Sequence, residues 1–264
     1  MHVKQLVSIE KSEALSIIGS YLQDRGQSDI NIEELLEDIV NNNALLIYNE
    51  RSELQFKHLS FQEYFTAYEF YHHRPTERNI FVSMFNKLWW QNVAIFYAGF
   101  SKDAPILLDE IIEVGKNTKG IISQFNVMTG LGRLMQSLYS TPINNRVEGV
   151  CLTSELACSI VSDLITTKEE KFSMFKNFSR YGIYQMLLAG FEISHHSITL
   201  QEPLKLAFDK LSRSLENSSD FSSLYQMFLI AATMGNCSFL NFQPYKYMIE
   251  NVKTDDLSLI ALED

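Results

Sequence analysis

The side chains best suited to chemistry in this sequence are its six histidines, because an imidazole titrates near neutral pH and can bind protons, metal ions or phosphates. Four of them form two adjacent pairs, His72-His73 and His195-His196. Neighbouring side chains on a helix point about 100° apart, so neither pair can offer two imidazoles to one metal ion. We therefore predict that both pairs are surface or boundary residues and that the chain has no metal site. His58 stands alone, and its role depends on the elements around it.

Motifs of known catalytic and nucleotide-binding sites do not occur in the sequence. The phosphate-binding pattern G-x-x-x-x-G-K-[ST] is absent, and Gly115-Lys116 has no earlier glycine at the required distance. The run Gly130-Leu131-Gly132 lacks the third glycine of a dinucleotide site, and no G-x-S-x-G elbow is present. The cysteines show no paired spacing, which is typical of reduced thiols: Cys151, Cys158 and Cys237. We predict no catalytic residue and no enzyme activity in this chain.

Two predicted helices precede His58. Apolar residues at helical spacing predict the first over residues 12–25, ended by Gly26. Asn31, with Glu34 three positions later, marks the capped start of the second. The two apolar stripes are Ala14, Ile17, Ile18 and Tyr21, and then Ile32, Leu35, Leu36, Ile39 and Val40. We expect the asparagine run 41–43 to end the second helix, since Asn tolerates the left-handed conformation of a helix terminus.

A short β-hairpin is predicted to lead to His58. The apolar runs 44–48 and 54–58 flank the polar segment 49–53, which is the pattern of two strands joined by a short wing. His58 is the last residue of the second run. The hairpin would therefore hold this imidazole close to the start of whatever element follows.

The element after His58 is predicted to be a helix. Ser60 and Glu63 form an S-x-x-E capping box, and Leu59 and Tyr64 occupy the positions of a hydrophobic staple. We treat Gln62 and Glu63 as structural for this reason. The apolar stripe of this helix is Phe61, Tyr64, Phe65, Tyr68 and Tyr71. The order helix, helix, hairpin, helix predicts a winged-helix module over residues 1–74.

Residues 54–67 resemble the signature that closes the winged-helix domain of NACHT-type STAND NTPases. The family pattern is an aromatic residue, any residue, a histidine, two or three residues, then Phe-Gln-Glu followed by two aromatics and small residues. The matching positions are Phe56, His58, Phe61, Gln62 and Glu63. The family includes animal NOD-like receptors and bacterial relatives, several of which act in antiphage defence. Thr66 stands where alanine is commoner in the family.

The resemblance implies a regulatory role for this chain. In the family, the histidine at the position of His58 contacts the terminal phosphate of bound ADP and holds the resting state closed. An imidazole can donate a hydrogen bond to a phosphate oxygen, and its pKa lies near physiological pH. Because this chain has no phosphate-binding loop, it should bind no cofactor alone, and ADP or ATP would be held by a NACHT ATPase domain in cis or in trans. The resemblance also implies a protein trigger and assembly into a homo-oligomer on activation.

The remaining sequence predicts only helices. Pro75 and Thr76 mark a boundary, and residues 77–264 show helical periodicity without a further strand pattern. No exact repeat of the tetratricopeptide or ankyrin kind is present. We predict a mainly α fold, in which the winged-helix module with its two-stranded hairpin is followed by an irregular α-helical bundle or solenoid that senses a trigger or acts as a scaffold.

Composition limits the alternatives. Hydrophobic residues make up 46% of the 264, enough for a sizeable core, and the longest wholly apolar run, 93–100, is too short to cross a membrane. We expect a soluble, cytoplasmic protein. The net charge of −10 and the acidic second helix argue against a winged-helix DNA-binding regulator, because phosphates would repel that helix. The alternative to the predicted NACHT-type protein is a freestanding helical adaptor for protein–protein interaction.

Overall fold

The structure of the protein, a computed structural model, describes residues 1–43, 45–177, 180–215 and 221–236. It is mainly helical with one small antiparallel sheet, which confirms the predicted class at that level. The chain divides into two compact units, Met1–Glu77 and Arg78–Asp264, called here the first and second unit. The boundary expected at Pro75 falls in the short 3-10 helix Pro75–Glu77, at the end of the first unit.

The first helix, α1, spans Lys11–Gln23 and ends in a turn. Gly26 has a φ of +68°, and the Gln27 amide donates to the Leu22 carbonyl at 2.9 Å. A residue with no Cβ adopts this left-handed conformation without strain, so Gly26 closes the helix as predicted. Only part of the predicted stripe faces the core: Ala14 is buried and Ile18 packs beside it, but Ile17 and Tyr21 are exposed.

The second helix, α2, spans Ile32–Asn41, and its predicted cap is confirmed. The Asn31 side chain accepts a hydrogen bond from the Glu34 amide at 3.3 Å. Leu36 is completely buried against Ala14 and the sheet. The predicted left-handed end is wrong: the C-cap residue Asn42 is right-handed, and its side-chain amide bonds back to the Asp38 carboxylate at 2.5 Å.

The sheet contains the predicted hairpin and one further strand. Strands β2, Leu46–Tyr48, and β3, Leu54–Phe56, pair antiparallel. Strand β1, Ser8–Ile9, pairs with the other side of β3, which gives the order β1-β3-β2 and corrects the expected two-stranded sheet. Two residues are too few for a periodic pattern, so β1 is defined by its partner. As the central strand, β3 buries Leu54 completely.

The last helix of the first unit, α3, spans Leu59–His72. All the regular secondary structure in the described residues of the second unit is helical. Its α-helices are α4 Asn79–Val82, α5 Leu88–Ser101, α6 Pro105–Lys116, α7 Ile121–Ser137, α8 Ile143–Thr166, α9 Arg180–His195, α10 Gln201–Leu215 and α11 Phe221–Asn236. Helix α8 packs against α6, α7, α9, α10 and α11, so it is the central element of this unit.

Helix α8 is also long and apolar enough to cross a membrane, with 24 residues and a mean hydropathy of 1.4 in its best window. That window is 61% buried within the protein, as in the core helix of a soluble protein. Cys151 is buried on this helix and Cys158 is partly buried. Cys237 and the segment 255–264 lie outside the described residues. The cytoplasmic location stays a prediction.

The Gly130-Leu131-Gly132 run allows α7 to pack closely against its neighbours. A Cβ on Gly130 would lie 2.5 Å from the Gln91 side chain of α5, and one on Gly132 would lie 2.7 Å from both the His195 ring and the Ser194 carbonyl of α9. Real Cβ atoms essentially never come this close to a neighbour. A side chain at Gly130 would have to displace the end of Gln91, and one at Gly132 would meet the α9 backbone, so Gly132 in particular needs glycine for packing.

Candidate functional site

The turn of the hairpin is organised by Asn49. Its side-chain oxygen accepts hydrogen bonds from the Arg51 amide at 2.9 Å and the Glu53 amide at 3.0 Å, and Ser52 takes the left-handed conformation. The Glu53 carboxylate accepts from Ser8 at 2.6 Å and from Asn49 at 3.1 Å, and these hydrogen bonds lower the pKa of that carboxyl. The hairpin is thereby tied to β1, which fixes the direction in which β3 leads to His58.

His58 lies at the junction of β3 and α3. Its backbone is extended, with φ −131° and ψ 137°, and its carbonyl accepts from the Phe61 amide at 3.0 Å. The imidazole is exposed and lies beside the Phe61 ring at a centroid distance of 5.7 Å. It is therefore at the base of the hairpin, away from the turn, and open to a ligand that approaches the start of α3.

The predicted capping box is wrong. Helix α3 begins at Leu59, so its N-cap residue is His58 and Ser60 already lies inside the first turn. The reason is the hydrogen bond from the Phe61 amide to the His58 carbonyl, which starts the helix two residues earlier than the box requires. The staple residues Leu59 and Tyr64 are both exposed.

Gln62 and Glu63 lie on the buried face of α3, together with Ala67 and Phe70. The Gln62 side-chain amide donates to the Leu6 carbonyl at 2.9 Å and so holds the N-terminal segment against the helix. The assignment of Gln62 and Glu63 as structural residues is consistent with this position.

The aromatic stripe of α3 faces outward, which differs from an ordinary core stripe. Tyr64, Phe65 and Tyr68 are 37%, 41% and 40% exposed. Phe65 stacks on Phe56 of β3 at 6.0 Å, and Tyr64 contacts the edge of Phe65. The first unit therefore presents large aromatic side chains to its surroundings, next to the exposed imidazole.

The second unit contains a buried histidine that the sequence analysis placed on the surface. His195 is completely buried, whereas His196, His72 and His73 are exposed as predicted. Its pair partner points the other way because successive helical side chains diverge, so one of the two had to face inward once α9 packed on α7. The prediction for His195 is wrong.

Three hydrogen-bond partners surround the His195 ring. Nε2 lies 3.0 Å from the Thr153 hydroxyl, and Nδ1 lies 2.9 Å from both the Ser194 hydroxyl and the Phe191 carbonyl. A carbonyl can only accept, so Nδ1 carries the proton when it bonds to Phe191. The ring also stacks on Phe191 at 3.9 Å, and burial lowers the pKa of His195 to about 4. The imidazole is therefore neutral at pH 7.

This buried group is a packing element without access for a substrate. In the sequence, the residues that could have indicated the burial of His195 are small or carry a hydroxyl group, and they lie far apart: Gly132, Thr153 and Ser194. Burial likewise raises the pKa of the Cys151 thiol to about 11, so that thiol is unreactive at pH 7. Among the described residues, no three His, Cys, Asp or Glu side chains are grouped closely enough to hold a metal ion.

The position of His58 allows a contact with an anion. The first amides of a helix have no partner within the helix, and the helix dipole adds partial positive charge there. Lys57, His58 and Ser60 are exposed at this end of α3 and carry further donors. No glycine-rich phosphate cradle occurs in the sequence. Comparison with models of protein families, with curated proteins and with solved structures finds no match for this chain.

Proposed function

We propose that this chain is the regulatory and sensing C-terminal part of a NACHT-type signalling NTPase. In this proposal, the first unit is a winged-helix module that keeps a separate ATPase domain in its ADP-bound resting state through His58. The second unit is the α-helical region that senses a protein trigger or supports assembly of several copies. The observation that carries the proposal is an exposed histidine between a hairpin and a helix start, inside a sequence that resembles the family signature.

The topology of the first unit supports the winged-helix part of the proposal. Strand β1 precedes α1 and α2 and pairs with β3, so one sheet joins the segments on either side of the two helices. The winged-helix proposal requires a hairpin beside two helices, and this topology is consistent with that requirement. The acidic residues Glu33, Glu34 and Asp38 on the exposed face of α2 argue against DNA as its ligand.

The switch follows from a contact that only one nucleotide state provides. When the ATPase domain holds ADP, its terminal phosphate can accept a hydrogen bond from His58, and this contact stabilises the closed arrangement. Exchange for ATP moves the terminal phosphate and removes or rearranges the contact. A ligand shifts a two-state equilibrium by its difference in affinity for the two states, and a charge-assisted hydrogen bond supplies about 1.5–3 kcal/mol.

The experiment is ADP titration calorimetry of the intact protein with its ATPase domain, or of the two chains mixed. We expect His58→Ala to weaken ADP binding by about tenfold or more, which corresponds to about 1.4 kcal/mol. His72→Ala is the matched control, since His72 is an exposed histidine at the other end of α3. Equal ADP affinity in His58→Ala and the parent protein contradicts the proposal.

A freestanding adaptor is the second candidate, and the exposed aromatic stripe of α3 favours it. Such an adaptor would use the first unit to bind a protein and would need no nucleotide. The same calorimetry separates the two functions, because an adaptor shows no ADP effect of any His58 substitution. Both functions assign binding rather than catalysis to this chain.

A further inference from the structure

An open groove lies in the first unit between α1 and α3. It encloses about 390 Å³, within the usual range of binding sites. Ile17 and Phe65 stand on its two walls, and Leu36, Leu46 and Phe56 form its floor. Every lining residue belongs to Met1–Glu77, so the groove is complete within one unit.

The walls of the groove remain exposed and continue beyond it. Ile17 is 52% exposed, and Tyr21 follows it by one turn on the same face of α1. On α3, the exposed Phe65 is followed by the exposed Tyr68. Scattered apolar residues are normal on a surface, but two adjoining apolar walls mark a binding surface. Helix α1 is about 20 Å long at 1.5 Å per residue, so this surface fits an elongated partner better than a small molecule.

Two polar groups in the groove are able to accept a donor or a cation from a partner. The buried Gln62 uses its amide nitrogen on Leu6, whereas its Oε1 accepts no hydrogen bond from any residue that the structure describes. The Glu69 carboxylate lines the groove, is exposed, and has no ion pair among the described residues. Arg74, the cationic side chain in the lining, is already paired with Glu77 through two hydrogen bonds. Met1 also lines the groove, and its ammonium group interacts with Glu13. The Glu69 carboxylate is therefore a negative charge on an apolar surface, without an ion pair among the described residues.

The charge of the whole first unit has the same sign. Residues 1–77 contain 13 Asp and Glu against 6 Lys and Arg, a net charge of −7. Three of the six cations are paired with carboxylates of the same unit: Lys4–Glu13, Lys11–Glu37 and Arg74–Glu77. A second copy of the chain would bring the same negative charge to this face, and like charges oppose association. A cationic partner is attracted.

We infer that the groove binds an amphipathic helix of a partner protein whose polar face is rich in Lys and Arg. Its apolar face lies between Ile17 and Phe65, as helices do in hydrophobic grooves, and one of its cations pairs with Glu69. This inference does not depend on His58 or on a nucleotide.

The experiment uses two labelled synthetic peptides with the intact protein. Both are about 18 residues long, about 27 Å as a helix, and have the same leucine face. One carries lysines on its polar face and the other glutamates. Fluorescence anisotropy should show binding of the lysine peptide, weakened by salt, and no binding of the glutamate peptide at the same concentrations. Equal binding of both peptides, or binding of neither, overturns the inference.

Matched variants locate the binding surface. Phe65→Ser should weaken binding of the lysine peptide about tenfold or more, as expected for an aromatic anchor. Leu59→Ser is its control, because Leu59 is an exposed apolar residue of α3 outside the groove. Glu69→Gln should weaken binding and reduce its salt dependence, whereas Glu50→Gln in the hairpin turn removes the same charge elsewhere and should not. Equal effects of the groove and control variants show attraction by net charge alone, and this overturns the inference. Tighter binding of a small alkylammonium ion than of the peptide in the groove also overturns the inference.

Discussion

The buried His195 imidazole should make the second unit lose stability in mild acid. Protonation would place a charge in the core, which is why burial lowers the pKa of His195 from 6.5 to about 4. In the unfolded chain, the imidazole takes up a proton as the pH falls through about 6.5, but in the folded protein it does so only near pH 4. The unfolded state therefore binds more protons between these values. As a result, the free energy of unfolding decreases as the pH is lowered through this window.

The size of the effect follows from the same two pKa values. A difference of about 2.5 units at 1.36 kcal/mol each gives a total loss of about 3 kcal/mol, complete below pH 4. Between pH 7 and pH 5 the loss should be about 2 kcal/mol. At pH 7 both states are mostly neutral, so the group contributes little pH dependence there.

Urea unfolding followed by tryptophan fluorescence measures this loss. Both tryptophans, Trp89 and Trp90, lie on α5, so their signal reports the second unit. Comparison of the parent protein with His195→Gln at pH 7 and pH 5 isolates the imidazole, because the carboxylates are the same in both. His196→Gln controls for loss of an exposed histidine of the same pair.

We expect the parent and His196→Gln to lose about 2 kcal/mol more than His195→Gln over this pH range. Equal losses in all three proteins refute the reasoning. An independent check is a nuclear magnetic resonance titration of the parent protein, in which the His195 ring should not titrate above pH 5. A midpoint near 6.5 for that ring contradicts its burial as a neutral group.

Two further predictions concern packing and helix caps. Gly132→Ala should lower the free energy of unfolding of the second unit by about 1–3 kcal/mol, because the new methyl group would overlap the α9 backbone. Gly99 has open space around it, so Gly99→Ala should raise the free energy of unfolding by about 0.5–1 kcal/mol. Unfolding in urea, followed by tryptophan fluorescence, checks both substitutions. Asn31→Ala should destabilise the first unit by about 1 kcal/mol through loss of the α2 cap, while Ser60→Ala should leave it unchanged, since Ser60 does not cap α3. Scanning calorimetry checks this pair, and a larger effect of Ser60→Ala would mean that α3 starts later than the structure shows.

The helices could be predicted from the sequence because their signals are local. Asn31 and the apolar residues after it define α2 without help from the rest of the chain. The hairpin was predictable for the same reason, since a polar turn separates two apolar runs. Strand β1 could not be predicted, because its two residues become a strand only by pairing with β3.

The side chains of the candidate site were harder to place than its elements. Hydrophobicity favours burial of Phe65 and Tyr68, yet α3 turns Gln62 and Ala67 inward. The first unit is small, so its core has room for few large rings and leaves the others outside. The burial of His195 depends on partners such as Thr153, which is 42 positions away in the sequence. A local sequence pattern therefore could not predict it.

Helix α8 makes the second unit depend on a single segment. Five other helices rest on it, so losing any one of them uncovers part of its apolar surface. In a stack of repeats, an end can open while the rest stays folded, but α6, α7, α9, α10 and α11 all share α8 and so form no such stack. We therefore expect the amide hydrogens of α8 to exchange only when the whole unit opens, and a protease cut in that helix to release the entire unit at once.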